Sequence, residues 1–387
     1  MNHKVNISIR IAIDEIPNES SGGAFNAVNS MNSQLRKVIS DNDSIVLLQD
    51  YLPRPFLKIT KNLLEKLATF IRTTNIYWKF YENKGGPRLG KLEKNLLKDK
   101  VDLIIFLNPN NVSSQLVNIP YISTVWDLGH LDYPTLPDLA GNGRFRYQDN
   151  FYSQNLRRSF RIFVESNITA TNLILNYGID SKKIVEINFT PQNSFRYRSN
   201  SKTRNKEIAI YPANIWPHKN HRIIVEAVRK LRLEGKKPRK VLFTGVDCGN
   251  QNFIVQLIKS YQLENDFEFQ GFIPHSKLEE IFGYAYLTLF PSVLGPTNLP
   301  PLEALALGCP AVIATPSSYN LGKLKGLLVI SENSVCEWAK VLDINFEITS
   351  PDHNQISNYI ESIEQNNSAK IFEILENFRF LKSLYKL

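Results

Sequence analysis

Short runs of β-branched and large apolar residues alternate along the chain with stretches in which apolar residues recur every three to four positions. In the first half the runs fall at 5–13, 44–48, 101–107, 121–125, 161–164 and 184–187. This alternation predicts a parallel sheet covered by helices on both faces. The pattern breaks at the polar, basic stretch "RYRSNSKTRNKE" and restarts with runs at 208–211, 240–244, 267–270, 287–290 and 311–314. The fold class expected is α/β, two tandem doubly wound Rossmann-like domains facing a cleft, with residues 1–195 and 207–345 as the domains and 196–206 as the linker. In such sheets ligands bind outside the carboxyl ends of the strands, so the loops there are where chemistry is sought.

Two of these loops stand out. In "YPANIWPHKNHRIIVEAVRKL", Ile223, Ile224, Ala227, Val228 and Leu231 share one face of a helix starting near Asn220, which leaves Lys219 at its amino end. A lysine there opposes the helix dipole unless an anion is bound, in which case both act on it together; the alternative is a solvated lysine in a polar cap. In "PSVLGPTNLPPLEALALGCPAVI" the strand 287–290 is followed by a loop and then a helix from about Leu299 to Gly308. Pro300 and Pro301 suit a first helical turn, where a missing N–H costs nothing. The N–H groups of Thr297, Asn298 and Leu299 are then free to form an anion cradle. Glu303, one turn in, either satisfies the helix start or accepts hydrogen bonds from sugar hydroxyls.

Composition sets the bounds. The chain has 387 residues, 43% hydrophobic and 21% charged, an ordinary globular mixture long enough for two cores. Its three cysteines, Cys248, Cys309 and Cys336, are far apart and lack metal-ligand spacing, which suits a reducing, cytoplasmic setting. The opening "MNHKVNISIRIAID" reads as a first strand and not as a signal peptide, and no apolar run is long enough to span a membrane. The net charge of +9 is concentrated in residues 54–100, which hold twelve Lys or Arg against four acidic residues. Within that stretch "FLKITKNLLEKLATFIRTTNIYWKFY" mixes a helical apolar stripe with basic residues. It reads either as a peripheral helix on an anionic membrane surface or as a solvated basic face packed on its own domain. Nucleic acid is not an expected partner, because no recognition motif accompanies the charge. Asp41-Asn42-Asp43 precedes the second run as an exposed turn would.

Taken in order, "YPANIWPHKNH", "VLFTG", "FQGFIPHSKLEEIF" and "LTLFPSVLGPTNLPPLEALALGCPAVIA" resemble the second domain of retaining glycosyltransferase family 4, the group 1 glycosyltransferases, in the branch with a GPTNLPPLE-type loop. "STVWDLGHLDYPTLPD" and "RRSFRIFVESNITATNLILNYGIDSKKIVEIN" are similar to the family's first-domain segment. The resemblance implies the glycosyltransferase B type fold, with residues 346–387 as a helical crossover back to the first domain. It also implies metal-independent, cofactor-free transfer of a sugar from a nucleotide-diphosphate sugar to a glycan acceptor, with retention of configuration. The expected setting is bacterial envelope polysaccharide biosynthesis, in the cytoplasm or on the inner face of the plasma membrane, with a lipid-linked acceptor.

By position, the resemblance gives Lys219 the donor diphosphate and Glu303 the ribose. The backbone of Thr297, Asn298 and Leu299 lines the sugar and phosphate site, Gly271, Phe272 and Ile273 flank the base, and Gly22 and Gly23 close on the phosphates. In "TVWDLGH", with Trp126 where the family often has histidine, Asp127 and His130 either face the acceptor hydroxyl or the sugar, or serve as polar residues capping a strand end. Two positions depart from the family: Gly295 stands where a glutamate is common and Asn214 where an arginine is common in the phosphate pocket. Those departures keep a second reading open, a non-catalytic nucleotide-sugar or glycan-binding protein on the same scaffold. An epimerase or hydrolase would need an ordered acid/base set.

Overall fold

The computed structural model describes residues 7–14, 23–52, 90–109, 111–191, 203–295, 299–315, 321 and 323–385. Two six-stranded parallel sheets are present. The first runs β2 (Ser44–Leu47), β1 (Arg10–Ile13), β3 (Leu103–Ile105), β4 (Tyr121–Val125), β5 (Arg161–Val164) and β6 (Ile184–Glu186). The second runs β12 (Leu327–Ile330), β11 (Ala311–Ala314), β10 (Ala285–Phe290), β7 (Asn205–Pro212), β8 (Lys240–Thr244) and β9 (Phe267–Gly271). The chain thus forms the expected doubly wound pair. In the second sheet the strand order reverses between β7 and β10, and the loops leaving these two strands diverge to open a crevice at their carboxyl ends.

Several strand bounds differ from the sequence reading, β3 (Leu103–Ile105 against 101–107) and β10 (Ala285–Phe290 against 287–290) among them. β7 starts at Asn205, inside the polar stretch read as linker up to 206, because its first three residues are exposed and only the part beyond carries an apolar signature. β12 was not anticipated. It is a four-residue edge strand, "LLVI", of which only Ile330 is fully buried, too short for alternation to register. Most of the basic stretch, residues 54–89, and the membrane helix expected there lie outside the described residues. Its last part forms the helix Lys91–Lys98, which buries Leu92 and Leu96.

Among the described residues the two domains meet through the last helix and through packing of the β10 loop and its helix against the first domain. The last helix, His353–Tyr385, puts Ile356 and Ile360 into the second domain's core and Ile371, Ile374, Leu375 and Phe378 into the first domain's. Midway, the buried Asn367 donates from Nδ2 to Gln34 Oε1 and to the Asn188 carbonyl, each at 2.7 Å. Near its end Arg379 pairs with Asp43, so the aspartate of the Asp-Asn-Asp turn serves structure. Leu299, at the start of the helix Leu299–Ala306, packs into the first domain's cluster beside Ala27 and Phe189. Gly129, just past β4, comes so close to Leu294 that a Cβ there would lie 2.6 Å from the leucine Cδ2.

Candidate active site

The sequence of the β10 loop and helix explains how Glu303 reaches the cleft. Pro300 and Pro301 occupy the first turn of Leu299–Ala306, and Gly308, at a positive φ of 77°, ends it. The helix is buried almost throughout, including Glu303, which is 1% exposed. One carboxyl oxygen, Oε1, accepts a hydrogen bond of 3.1 Å from Asn26 Nδ2, on the first helix of the other domain. The other, Oε2, is buried with no partner among the described residues. Burial pushes the carboxyl up to about 8, with the Asn26 bond pulling the other way.

Lys219 comes from the loop after β7. A short turn Pro217–Lys219 ends in Asn220, which takes a left-handed φ of 54° before the helix His221–Leu233 begins. Asparagine tolerates that conformation. The Tyr211 hydroxyl donates to the Lys219 carbonyl and pins the turn to β7. The ammonium lies 3.3 Å from Ser292 Oγ and 5.0 Å from the centre of the Phe290 ring, so it spans the β7 and β10 loops. Burial lowers its pKa to about 8, against the opposing pull of Asp127, Glu165 and Asp138, all carboxylates of the first domain. The lysine thus faces acids across the cleft.

Both residues line one cavity of about 390 Å³ between the domains, together with Asp127, Asn214, Phe272, Ile273 and Leu299 from the predicted set. Asn214 accepts from the Val246 N–H at 3.0 Å and so ties the β7 loop to the β8 loop, a structural duty an arginine could not perform with an acceptor atom. Asp127 accepts from the Gly129 N–H at 2.8 Å, which fixes its carboxylate at the cavity edge. Gly271 is exposed and does not line the cavity, its carbonyl accepting from the Gly245 N–H at 2.8 Å. Gly23 is the first residue of the first helix, while Gly22, Thr297 and Asn298 lie outside the described residues.

His130 corrects the sequence reading. Its side chain is 1% exposed and turned away from the cavity, with Nε2 at 2.8 Å from the Tyr177 hydroxyl and the ring packed against Phe145 and Tyr152. Burial lowers its pKa and favours the neutral ring. The residue follows Asp127 within one turn of helix, Gly129–Asp132, which swings it to the opposite side. Conversely, Asn26, Glu165, Gln148 and His218 line the cavity and were not anticipated. His218 pairs through Nδ1 with Asp138 Oδ2 of the first domain. Only the position of Asn26, three residues past Gly23 in the first-strand turn, could have signalled any of them. Among the described residues no group of three or more His, Cys, Asp or Glu is placed to hold a metal.

Two Rossmann-like domains facing a cleft, with a cation and a carboxylate meeting at the second sheet's switch point, define the glycosyltransferase B type fold. Residues 194–371 match the family model for glycosyl transferases group 1. The chain is 19% identical over 239 residues to the O-antigen chain mannosyltransferase RfbU of Salmonella typhimurium, covering 59% of this chain and 65% of that protein. It is 21% identical over 193 residues to O-antigen chain mannosyltransferase B of Escherichia coli, covering 48% of this chain and 51% of that protein. The matches thus span between half and two thirds of these relatives' lengths. Among solved structures, sucrose-phosphate synthase from Thermosynechococcus elongatus has a TM-score of 0.62 at 16% identity, covering 98% of both chains. HepE from Anabaena, in complex with UDP and glucose, has a TM-score of 0.58 at 16% identity, covering 98% of this chain and all of that one. At such identities the two structures show a shared fold.

Proposed function

We propose that the chain is a metal-independent, retaining glycosyltransferase that moves a sugar from a nucleotide-diphosphate sugar to a glycan acceptor in envelope polysaccharide assembly. The observation that carries this reading is the convergence of Lys219 and Glu303, from the two loops that flank the second sheet's switch point, on one cavity closed by the first domain. The curated relatives' names as O-antigen chain mannosyltransferases support the polysaccharide setting and make mannose the first donor sugar to try. The UDP-bound neighbour supports a nucleotide ligand.

In this reading Glu303 Oε2 accepts from ribose hydroxyls and Lys219 neutralises the diphosphate. Negative charge grows on the diphosphate as the glycosidic bond breaks. A cation held in a water-poor cleft stabilises that charge more than it stabilises the ground state. The acceptor hydroxyl approaches from the Asp127 wall, on the face from which the diphosphate departs, so configuration is retained without an enzymic nucleophile. The proposed acceptor is lipid-linked and the proposed setting is the cytoplasmic face of the membrane, with residues 54–100 meeting an anionic bilayer. Among the described residues no helix is long and apolar enough to cross one.

Thermal unfolding against UDP, GDP, ADP, dTDP and CMP and their sugar conjugates tests the donor site. A ligand at about 100 times its Kd adds about 2.7 kcal/mol. One nucleotide should shift wild type and fail to shift Glu303→Ala. Nucleotide release that depends on added glycan acceptor then separates transfer from hydrolysis. Absence of any shift in folded protein would favour the non-catalytic scaffold.

A further inference from the structure

Glu303 is set in the second domain, yet the one hydrogen bond its carboxyl accepts among the described residues comes from the first. Asn26 sits in the opening turn of the helix Gly23–Val38, is 7% exposed, and lines the cleft cavity. Its neighbours Ala27 and Val28 anchor that helix in the first domain's core, where Leu299 of the second domain also packs. The amide and the carboxyl are therefore brought together by apolar contact on both sides. Asparagine Nδ2 can only donate and a carboxylate can only accept, so the 3.1 Å contact has a single polarity. It occupies Oε1 and leaves Oε2, the oxygen without a partner, for a ligand.

We propose that Asn26 is a positioning residue for Glu303, holding one carboxyl oxygen across the cleft so that the other receives the ligand's hydroxyls only while the domains are together. This rests on the reading of Glu303 as the ribose acceptor. A carboxyl free to rotate on its side chain would present either oxygen in several rotamers, whereas one fixed bond removes that freedom before the ligand arrives. The bond also favours the ionised carboxyl, which accepts two hydroxyls better than the protonated acid does. Burial is the larger influence on this group, and no charged side chain contributes to its shift alongside the Asn26 bond. Lys219 lines the same cavity but is not among the groups acting on it. Coupling follows from the same geometry: opening the cleft removes Asn26 and leaves the carboxyl unheld, so donor affinity tracks closure.

The test is the Kd of the tightest-binding nucleoside diphosphate between pH 6 and 9 for wild type, Asn26→Ala, Glu303→Ala and the double variant, each first shown to be folded by its ligand-free melting curve. Asn26→Ala should weaken binding about fivefold at pH 7.5, the net worth of about one hydrogen bond. It should also move the rising limb of the pH profile to higher pH, and have no further effect once Glu303 is alanine. Asn26→Asp, which sets a second carboxyl against the first, should weaken binding more at pH 8.5 than at pH 6. Should Glu303→Ala lower affinity while Asn26→Ala matches wild type in both Kd and pH midpoint, the positioning role is wrong and the donor reading stands. Should Glu303→Ala leave the Kd unchanged, or should wild type bind none of the nucleotides, the donor reading falls and the positioning role with it.

Discussion

The two walls of the cleft carry their chemistry in opposite ways. On the second-domain wall Lys219 and Glu303 sit where a strand hands over to a helix, in short segments whose geometry follows from Asn220, the Pro-Pro pair and Gly308. On the first-domain wall the lining groups come from separate places, Asn26 from the first helix, Asp127 after β4 and Glu165 after β5, with Asp138 of the one-turn helix Pro137–Ala140 paired to His218 beside them. The second wall is cationic above a buried carboxyl; the first is acidic and faces it. The difference teaches that a binding site built on one strand end can be read locally, whereas one built from several elements exists only after folding.

If the second wall holds the donor, its variants should lose nucleotide and those of the first wall's interior should not. Lys219→Ala removes a charge-assisted contact worth about 2–3 kcal/mol, so nucleoside diphosphate affinity should fall about 30- to 150-fold by titration calorimetry. Raising the pH should mimic that loss in wild type. Lys219, at about 8, deprotonates in this range, so affinity should decline above pH 8, and the decline should vanish in the alanine variant.

Glu303→Gln should weaken nucleotide about tenfold while making the ligand-free protein more stable. The sign follows from a carboxyl raised from 4.5 to about 8 on folding. The native state then holds the extra proton between these values, so the stability contributed is complete below 4.5 and is lost as pH rises through 8. Glutamine does not titrate, so the melting temperature of the variant relative to wild type should climb between pH 5 and 8.

Gly129→Ala should cost about 1 kcal/mol by pushing Leu294 away, and Leu294→Ala in the same chain should return part of it, because the two closest contacts of the added methyl, 2.6 and 2.8 Å, are both to Leu294, with Asp127 Oδ1 next at 3.1 Å. His130→Phe should cost about 1 kcal/mol of stability through the lost Tyr177 hydrogen bond and leave nucleotide affinity within twofold of wild type. A large affinity loss in that variant would break the contrast between the walls.

The periodicity of apolar residues was enough to place eleven of the twelve strands among the described residues, since buried parallel strands read as short continuous apolar runs. It missed β12, where the edge position leaves most of the strand half exposed, and the polar start of β7 for the same reason. That Lys219, Glu303 and Asp127 line one cleft was legible because in such sheets the loops at strand carboxyl ends border the crevice. His130 was not, because whether a side chain three residues past a strand faces a cleft or a core depends on one short turn, and here an aromatic cluster draws it inward. The position of Asn26 beside the first-strand turn was a signal, but its pairing with Glu303 was invisible because the partner lies 277 residues away, across a domain boundary.

The measurement that bears most directly on the donor site is the Kd of one nucleoside diphosphate, at pH 7.5, for wild type, Lys219→Ala and His130→Phe side by side. The account predicts a loss of at least 30-fold in the first variant and none in the second. Equal affinity of wild type and Lys219→Ala would place the diphosphate elsewhere and contradict it.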